Sequence, residues 1–367
     1  MSRTAEVVVV GGGAMGSATA WQLARRGHDV VLLERFSPGH AQGASHGASR
    51  NFNVSYDERH YLDMLVEALP LWRELEAEAD AHLLDLVGIV NHGGYTASTR
   101  DALHAAGIPA ELLPASEAQA RWSGIRFASD VLYTPQAGRL NADAAVSALQ
   151  RSASAHGADM RHGVTATRVA VLDDDRVRVT TDGESVEAAR AVVTVGAWTS
   201  KLLGGALPLP RLVVTQEQPA HFAVADSEAV WPGFNHRPSA GDEWWPSPIY
   251  GMLTPGQGVK AGWHGVGPVT DPDERTFRSE PHQLELLRRY VREWLPGADA
   301  DRFTEISCTY TTSPDSDFVL DRVGPIVVGA GFSGHGFKFT PVVGRILADL
   351  ALSGAPAHPA FSLARFA

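Results

Sequence analysis

Four consecutive valines, Val7 to Val10, run straight into Gly11-Gly12-Gly13-Ala14-Met15-Gly16. A β-branched run that is apolar at every position reads as a strand covered on both faces, as in a parallel sheet. The glycines fit the spacing G-x-G-x-x-G. Ser17 to Arg26 reads as a helix closed by Gly27, and His28 to Leu33 as a second strand with Glu34 at its end. Strand, glycine turn, helix, strand and acid in this order point to a Rossmann-like α/β unit. Gly11 permits the tight turn, Gly13 lets the backbone approach a pyrophosphate, and Gly16 allows close helix–strand packing. The helix N-terminus turns its positive end toward the phosphates. Glu34, about 20 residues on, is placed to accept from ribose hydroxyls. A glycine-rich turn without a ligand is the competing reading, and the ordered series of parts weighs against it. By itself the unit suits FAD and NAD equally.

Composition narrows the partners. The chain has 367 residues, which suggests two domains at about 150 residues each. Its net charge of −11 and the lack of a basic run offer nothing to nucleic-acid phosphates. No apolar run approaches the roughly 18 residues of a membrane span. The opening Met1-Ser2-Arg3-Thr4-Ala5-Glu6 has no signal-peptide pattern, and Leu363-Ala364-Arg365-Phe366-Ala367 lacks a peroxisomal address. A cytoplasmic protein is expected. Cys308 is the only cysteine, which excludes an intramolecular disulfide or a cysteine metal cluster. The fifteen histidines show no metal spacing, so no metal is expected.

Further along, residues 36–56 form a Gly/Ser/His-rich connection of a length usually kept for function. Asp57 to Glu78 reads as a helix with Leu62, Leu65, Leu69 and Trp72 on one stripe. Short strands are expected within 84–95, a short helix over 116–122, and an amphipathic helix from Asn141 to His156. Ala188 to Val195 reads as a strand entering Gly196-Ala197-Trp198, and Pro281 to Trp294 as a helix. Ile326 to Ala330 is a buried strand leading into Gly331-Phe332-Ser333-Gly334-His335-Gly336-Phe337-Lys338. Thr340 is placed to cap a last helix with Pro341 in its first turn, Val343, Ile346, Leu347 and Leu350 as its core stripe, and Gly354 at its end. This repeats the strand, glycine loop and helix of the N-terminus. A flavoprotein has a use for that repeat, because a helix N-terminus can stabilise negative charge on a flavin ring.

The chain resembles the monomeric sarcosine oxidase and N-methyltryptophan oxidase family, within the D-amino-acid-oxidase-like flavoenzymes. The likeness runs nearly end to end. It rests on the first glycine motif, Gly43 to Arg50, Gly196-Ala197-Trp198, Lys260-Ala261-Gly262-Trp263-His264, Cys308-Thr309-Tyr310-Thr311, and Gly331 to Phe339. It implies a Rossmann-like FAD-binding domain with an interleaved, mostly antiparallel β-sheet substrate domain, α+β overall. The first would comprise 1–85, 140–205 and 310–367, the second 86–139 and 206–309. The activity implied is that of an FAD-dependent oxidase of secondary amines, a monomer that uses O2 and releases hydrogen peroxide.

The resemblance also assigns residues. Gly11, Gly13, Ala14, Met15, Gly16, Glu34, Arg35, Gly43, Ala44, Ser45, Arg50, Val169, Gly196, Trp198, Gly334, His335, Gly336, Phe337 and Lys338 would surround FAD. Cys308 would carry the flavin through a thioether, although most lone cysteines are simply small buried hydrophobes. Lys260 would activate oxygen, with Arg50, His264 and Tyr310 completing the catalytic group. Lys260, Gly262 and His264 share one side of a strand, where Gly262 leaves room for a flat ring. Alternatively, Lys260 sits on a solvated strand face whose buried side is Val259, Ala261 and Trp263.

Lys338 would hold a substrate carboxylate; at a helix start it opposes the dipole, so stability does not explain it. The family pairs this lysine with an arginine where Asn53 stands here, and asparagine cannot form a bidentate carboxylate clamp. Tyr250, Tyr310, His264 and Trp245 would line the substrate cavity, with Trp244 and Trp245 equally readable as core. A bulkier, aromatic or cyclic amine is therefore expected in place of sarcosine. The alternatives are a flavin dehydrogenase serving a partner, a nicotinamide-dependent dehydrogenase, and a flavin-bearing subunit of a larger complex.

Overall fold

The valine strand, Arg3–Val10 in the computed structural model, lies parallel to a neighbour on each side. Val7 pairs with Val30 of Val30–Glu34, and Val10 with Val193 of Ser185–Val193. Asp159–His162 and Ile326–Ala330 extend the parallel set outward. The structure describes residues 3–367 apart from 96, 174, 225, 227, 228 and 355. Met1 and Ser2, where the search for a signal peptide began, lie outside the described residues.

Val8 and Val9 are wholly buried because each sheet face has its own cover. Helices Ala14–Ala24, Arg59–Ala79, Ala142–Ala155 and Thr340–Leu352 pack one face through Val9, Trp21, Leu65, Trp72 and Leu347. Val8, Val10, Val177, Val179 and Leu203 form the layer on the other. Local chemistry sets the element ends. Asn141 caps its helix by accepting from Ala144 N at 3.0 Å. Only glycine fits at 16, where a Cβ would lie 1.8 Å from Gly11 O.

The expected cap at Thr340 is corrected. Phe337–Phe339 already forms a 3₁₀ turn that continues into the helix. Thr340 is therefore inside the helical path, and its hydroxyl donates back to Phe337 O at 2.7 Å.

A second eight-stranded sheet runs Ala298–Glu305, Ala220–Val224, Gly258–Trp263, Ile249–Thr254, Gly233–His236, Ile89–His92, Val131–Thr134, Glu111–Leu113. Every neighbouring pair is antiparallel except Gly233–His236 with Ile89–His92. One face packs Phe222, Phe234, Ile249, Val259 and Trp263 against Leu287 and Tyr290 of helix Pro281–Trp294. Strand alternation gives the opposite face a different chemistry. There His221 pairs with Lys260, Tyr250 with Gly262, and Asn235 with both Tyr250 and Asn91.

The segment Ser49–Phe52 docks on this polar face. Ser49 Oγ lies 2.7 Å from Thr254 Oγ1, and Asn51 Nδ2 donates to Asn235 Oδ1 at 3.0 Å. Two expected domain boundaries, 139/140 and 309/310, fall inside strands Gly138–Leu140 and Cys308–Thr312. Cys308–Thr312 instead pairs as a unit with Val213–Glu217.

Candidate active site

A cavity of about 500 Å³ opens along the carboxyl ends of the parallel strands. Leu33 to Phe36 and residues 164–167 line one end, Gly11 and Gly13 to Met15 the middle, and Cys308 to Thr311 with Gly331 to Gly334 the other. This is where an open parallel sheet binds its ligand. Glu34 is buried and braces the turn: Oε2 accepts from Gly12 N at 2.7 Å and Oε1 from Phe36 N at 2.8 Å. Ser45 Oγ accepts from Ala14 N at 3.0 Å, which brings the Gly43–Ser45 stretch against the first helix. The lining therefore suits an elongated ligand: an acid at one end, a positive helix end in the middle, a thiol at the far end.

A loop from the second sheet closes over the acid end. Asp273 accepts from Arg35 Nη1 at 2.7 Å, Trp198 Nε1 at 2.8 Å and Lys201 Nζ at 2.6 Å. Lys201 and Trp198 then Arg35 hold its carboxyl well below the usual range. Arg275 on the same loop donates to Gln42 O at 2.6 Å and Ser307 Oγ at 2.9 Å.

At the thiol end, Cys308 is half-buried, and Arg50 Nη2 approaches its sulfur to 3.7 Å. Arg50 also donates to Ser49 O and Ala44 O. Lys260 is 3% exposed, so the solvated-face reading fails; its Nζ donates to Ser49 O at 3.0 Å. Burial first, and then the Arg50 charge, push its pKa well below the usual lysine value. Among the described residues it forms no ion pair. The same crowd of cations pulls His46 down to about 3, after burial as the main cause. Glu217 pairs with Cys308 across the strands, and its buried carboxylate accepts from Thr215 Oγ1 at 2.5 Å and Gly267 N at 3.2 Å.

The third group surrounds the second glycine loop. Tyr310 OH lies 3.3 Å from His264 Nδ1 and is hydrogen-bonded to Tyr250. Burial pushes both phenols up. A Cβ at Gly334 would meet Tyr310 at 2.1 Å, so this glycine makes room for the ring. Lys338 is buried; its Nζ donates to Tyr56 OH at 2.9 Å and His335 O at 3.0 Å. Burial pulls its pKa down to about 7. Gly336 and Phe337 line the cavity beside it. Asn53 is half-buried, and its Oδ1 accepts from Ser55 N at 3.1 Å.

Three placements differ from expectation. Val169 pairs with Val179 and points into the layer beneath the parallel sheet; residues 164–167, just before it, line the cavity instead. Trp245 is not in the cavity. It is 7% exposed and packs at 4.7–5.9 Å against His236, Trp263, Tyr290 and Trp294 on the apolar side of the second sheet. Its neighbour Trp244 stacks on Arg289 at 3.9 Å. Gly262 leaves room for a ring, but the ring is that of Tyr250, 3.0 Å from where a Cβ would stand.

The sequence reading missed Tyr56, Thr254 and Glu217, which no motif marks, and Ser49, which lies in the Gly43 to Arg50 segment but was given no role. A compositional signal was present for the lysines. Lys201, Lys260 and Lys338 are the only three in the chain. Lys201 is half-exposed at the cavity rim and paired with Asp271 and Asp273, and the other two are buried behind the cavity wall without carboxylate partners among the described residues. Lysine can shift its pKa on burial where arginine stays charged.

The family described as DAO, FAD dependent oxidoreductase, matches residues 6–350. The chain is 33% identical to a monomeric sarcosine oxidase of Bacillus sp. (strain NS-129), over 98% of this chain and 95% of that one. It is 34% identical to the peroxisomal sarcosine oxidase of Mus musculus, over 98% and 96%. Among solved structures, NikD, an unusual amino acid oxidase essential for nikkomycin biosynthesis, superposes in its open form with a TM-score of 0.84. Its identity is 30%, covering 97% of this chain and 96% of that one.

Proposed function

The chain belongs to the FAD dependent oxidoreductase family matched over residues 6–350, and on that premise we propose an oxidase of a secondary amine, an N-methyl or cyclic amino acid other than sarcosine. When bound, FAD supplies the acceptor for two electrons from the amine's α-C–H bond and their route to O2. Every other task falls to side chains. Glu34, the first helix end and the Asp273 loop hold the dinucleotide. Cys308 is the covalent attachment point, oriented by Arg50.

Lys338 holds the substrate carboxylate. Its ammonium spends two protons on Tyr56 and His335 O, which leaves one for the ligand. Asn53 turns its carbonyl oxygen to Ser55 N, so its amide NH₂ is the end free for substrate. One cation and one neutral donor make a weaker carboxylate site than an Arg–Lys pair. A small substrate has little else to bind with; an aromatic or cyclic amine can add contact with Tyr250 and Tyr310. The product imine is hydrolysed by water unless its ring aromatises. Lys260 is a fixed cation in a dry site, suited to stabilise negative charge developing on oxygen.

The observation that carries this reading is the pair of buried lysines, one behind the cavity-lining Arg50 and one directly after the cavity-lining Gly336 and Phe337, neither with a carboxylate partner among the described residues. The test follows flavin absorbance anaerobically with an N-methyl amino acid and with the same amine lacking its carboxylate. Bleaching by the acid alone supports a carboxylate site at Lys338. Preferential bleaching by the decarboxylated amine moves the substrate to a different class. No bleaching by either discards simple N-methyl amines.

A further inference from the structure

Lys338 ends a hydrogen-bond series whose polarity can be read from its far end. His335 Nε2 lies 3.2 Å from Ser316 O. A backbone carbonyl can only accept, so Nε2 carries the proton. Burial, then the Lys338 charge, pull His335 down to about 3, so the ring is neutral near pH 7 and Nδ1 must accept. Tyr56 OH lies 3.1 Å from that Nδ1 and is therefore the donor. With its proton committed, the Tyr56 oxygen offers a lone pair to Lys338 Nζ at 2.9 Å. Each bond forces the sense of the next.

The series starts at a strained point. Ser316 has φ +67°, in the left-handed region, and its amide is tied back to Ser313 O at 3.2 Å. That conformation is strained for a non-glycine residue, and it aims the Ser316 carbonyl at His335. At the other end, Trp72 Nε1 donates to Lys338 O at 2.9 Å and fixes the lysine backbone.

We infer that Tyr56 and His335 are positioning residues for Lys338: the relay from Ser316 through His335 and Tyr56 keeps the lysine an ammonium and directs its one free proton. The functional consequence rests on the reading of Lys338 as the carboxylate cation; the relay itself does not. The titratable groups around Lys338 add no charge that supports its ammonium. His264, and His335 on its own loop, are both made less basic by burial first and then by the Lys338 charge. Tyr56 is held neutral by burial, and Asp317 is engaged by Tyr61 OH at 2.8 Å. No carboxylate forms an ion pair with Lys338 among the described residues. A phenolic oxygen that can only accept, a carbonyl, and the ring faces of Tyr56 and Phe339 at 5.1 and 5.3 Å are its stabilising contacts, and Tyr56→Phe removes only the first of them.

Three lysines make this directly measurable. In flavin-loaded protein carrying ¹³C,¹⁵N-lysine, the side-chain signals report each ammonium separately, with surface-paired Lys201 as the reference for an intact fold. Lys338 should lose its proton near pH 7 in the parent protein. Tyr56→Phe should lower that midpoint by about one pH unit, a tenfold loss of ammonium above the midpoint. His335→Leu should lower it as well, while His335→Gln, whose carbonyl can still accept from Tyr56, should restore it. A midpoint that stays in place in Tyr56→Phe overturns the inference. So does a His335→Gln protein that behaves like His335→Leu, and this pair carries the test if Tyr56→Phe does not fold. Benzoate binding, followed by flavin absorbance in the same samples, should have a pH edge that tracks the Lys338 midpoint. If the midpoint moves and the benzoate edge does not, the relay stands and Lys338 loses its carboxylate role.

Discussion

Arg50 Nη2 and Cys308 Sγ meet at 3.7 Å across 258 residues of sequence. The strand Arg50–Phe52 turns Asn51 toward the second sheet, which leaves Arg50 for the cavity. The strand Cys308–Thr312 presents its thiol and Tyr310 to that same cavity. A guanidinium, a thiol and a flat cavity wall are thereby brought to one point. Acid precipitation of the parent protein should leave the flavin on the polypeptide, and Cys308→Ala should release it to the supernatant. Free flavin from the parent would end the covalent assignment.

Lys260→Met separates function from stability. The buried ammonium has one carbonyl contact and one cationic neighbour, Arg50, so its charge costs folding energy. Methionine of similar length should raise thermal stability, by about 1–3 kcal/mol. The same change removes the fixed cation from the oxygen site. Stopped-flow reoxidation should slow by roughly 100-fold or more, while anaerobic reduction by substrate stays within a few-fold. Unchanged reoxidation would remove Lys260 from the oxygen step.

The legible parts of the molecule were those with local causes. The valine strand, the glycine turn and Glu34 could be placed because each obeys a rule spanning a few residues. Helix Pro281–Trp294 was bounded correctly because its proline opens it. The site was only half legible. Cys308 and Lys338 sit in distinctive motifs, but Tyr56 meets Lys338 across 282 residues and lies in a segment with no pattern of its own. Trp245 was misplaced because its neighbours, His236 and Tyr290, come from two other elements. Periodicity reports which way a side chain points, and not what the opposing element puts there.

His92 and His236 stack at 3.6 Å in the apolar layer of the second sheet, and neither nitrogen of His92 has a hydrogen-bond partner among the described residues. Burial pulls His92 down to about 3, and burial with its neighbour pulls His236 lower still. Both folded values lie below the unfolded value near 6.5, so the unfolded chain binds more protons between them. Stability should then fall as pH drops from about 6.5 toward 3. At pH 4.5 the loss is about 3 kcal/mol for each histidine. Thermal melts from pH 7 to 4.5 should show this slope, and His92→Leu should remove its own share of it while His46, His236 and His335 keep theirs. A parallel slope in His92→Leu would place the acid sensitivity elsewhere.

Gly13 and Gly16 sit in one motif but do different work, and alanine distinguishes them. A Cβ at Gly16 would stand 1.8 Å from Gly11 O and 2.6 Å from Thr194 Oγ1, so the turn itself must deform. Gly16→Ala should lower the melting temperature of the flavin-free protein and weaken flavin binding with it. A Cβ at Gly13 meets only the Ser45 hydroxyl, at 3.1 Å, and the residue has an ordinary φ of −68°. Its remaining surroundings are the cavity. Made in the Cys308→Ala background, where flavin binds reversibly, Gly13→Ala should leave the flavin-free melting temperature within a few degrees of its parent and still weaken flavin binding by tenfold or more, about 1.4 kcal/mol. Equal destabilisation by both substitutions would mean that the motif serves helix–strand packing alone. Unchanged flavin affinity on Gly13→Ala in the Cys308→Ala background would mean that the bound dinucleotide does not pass over residue 13.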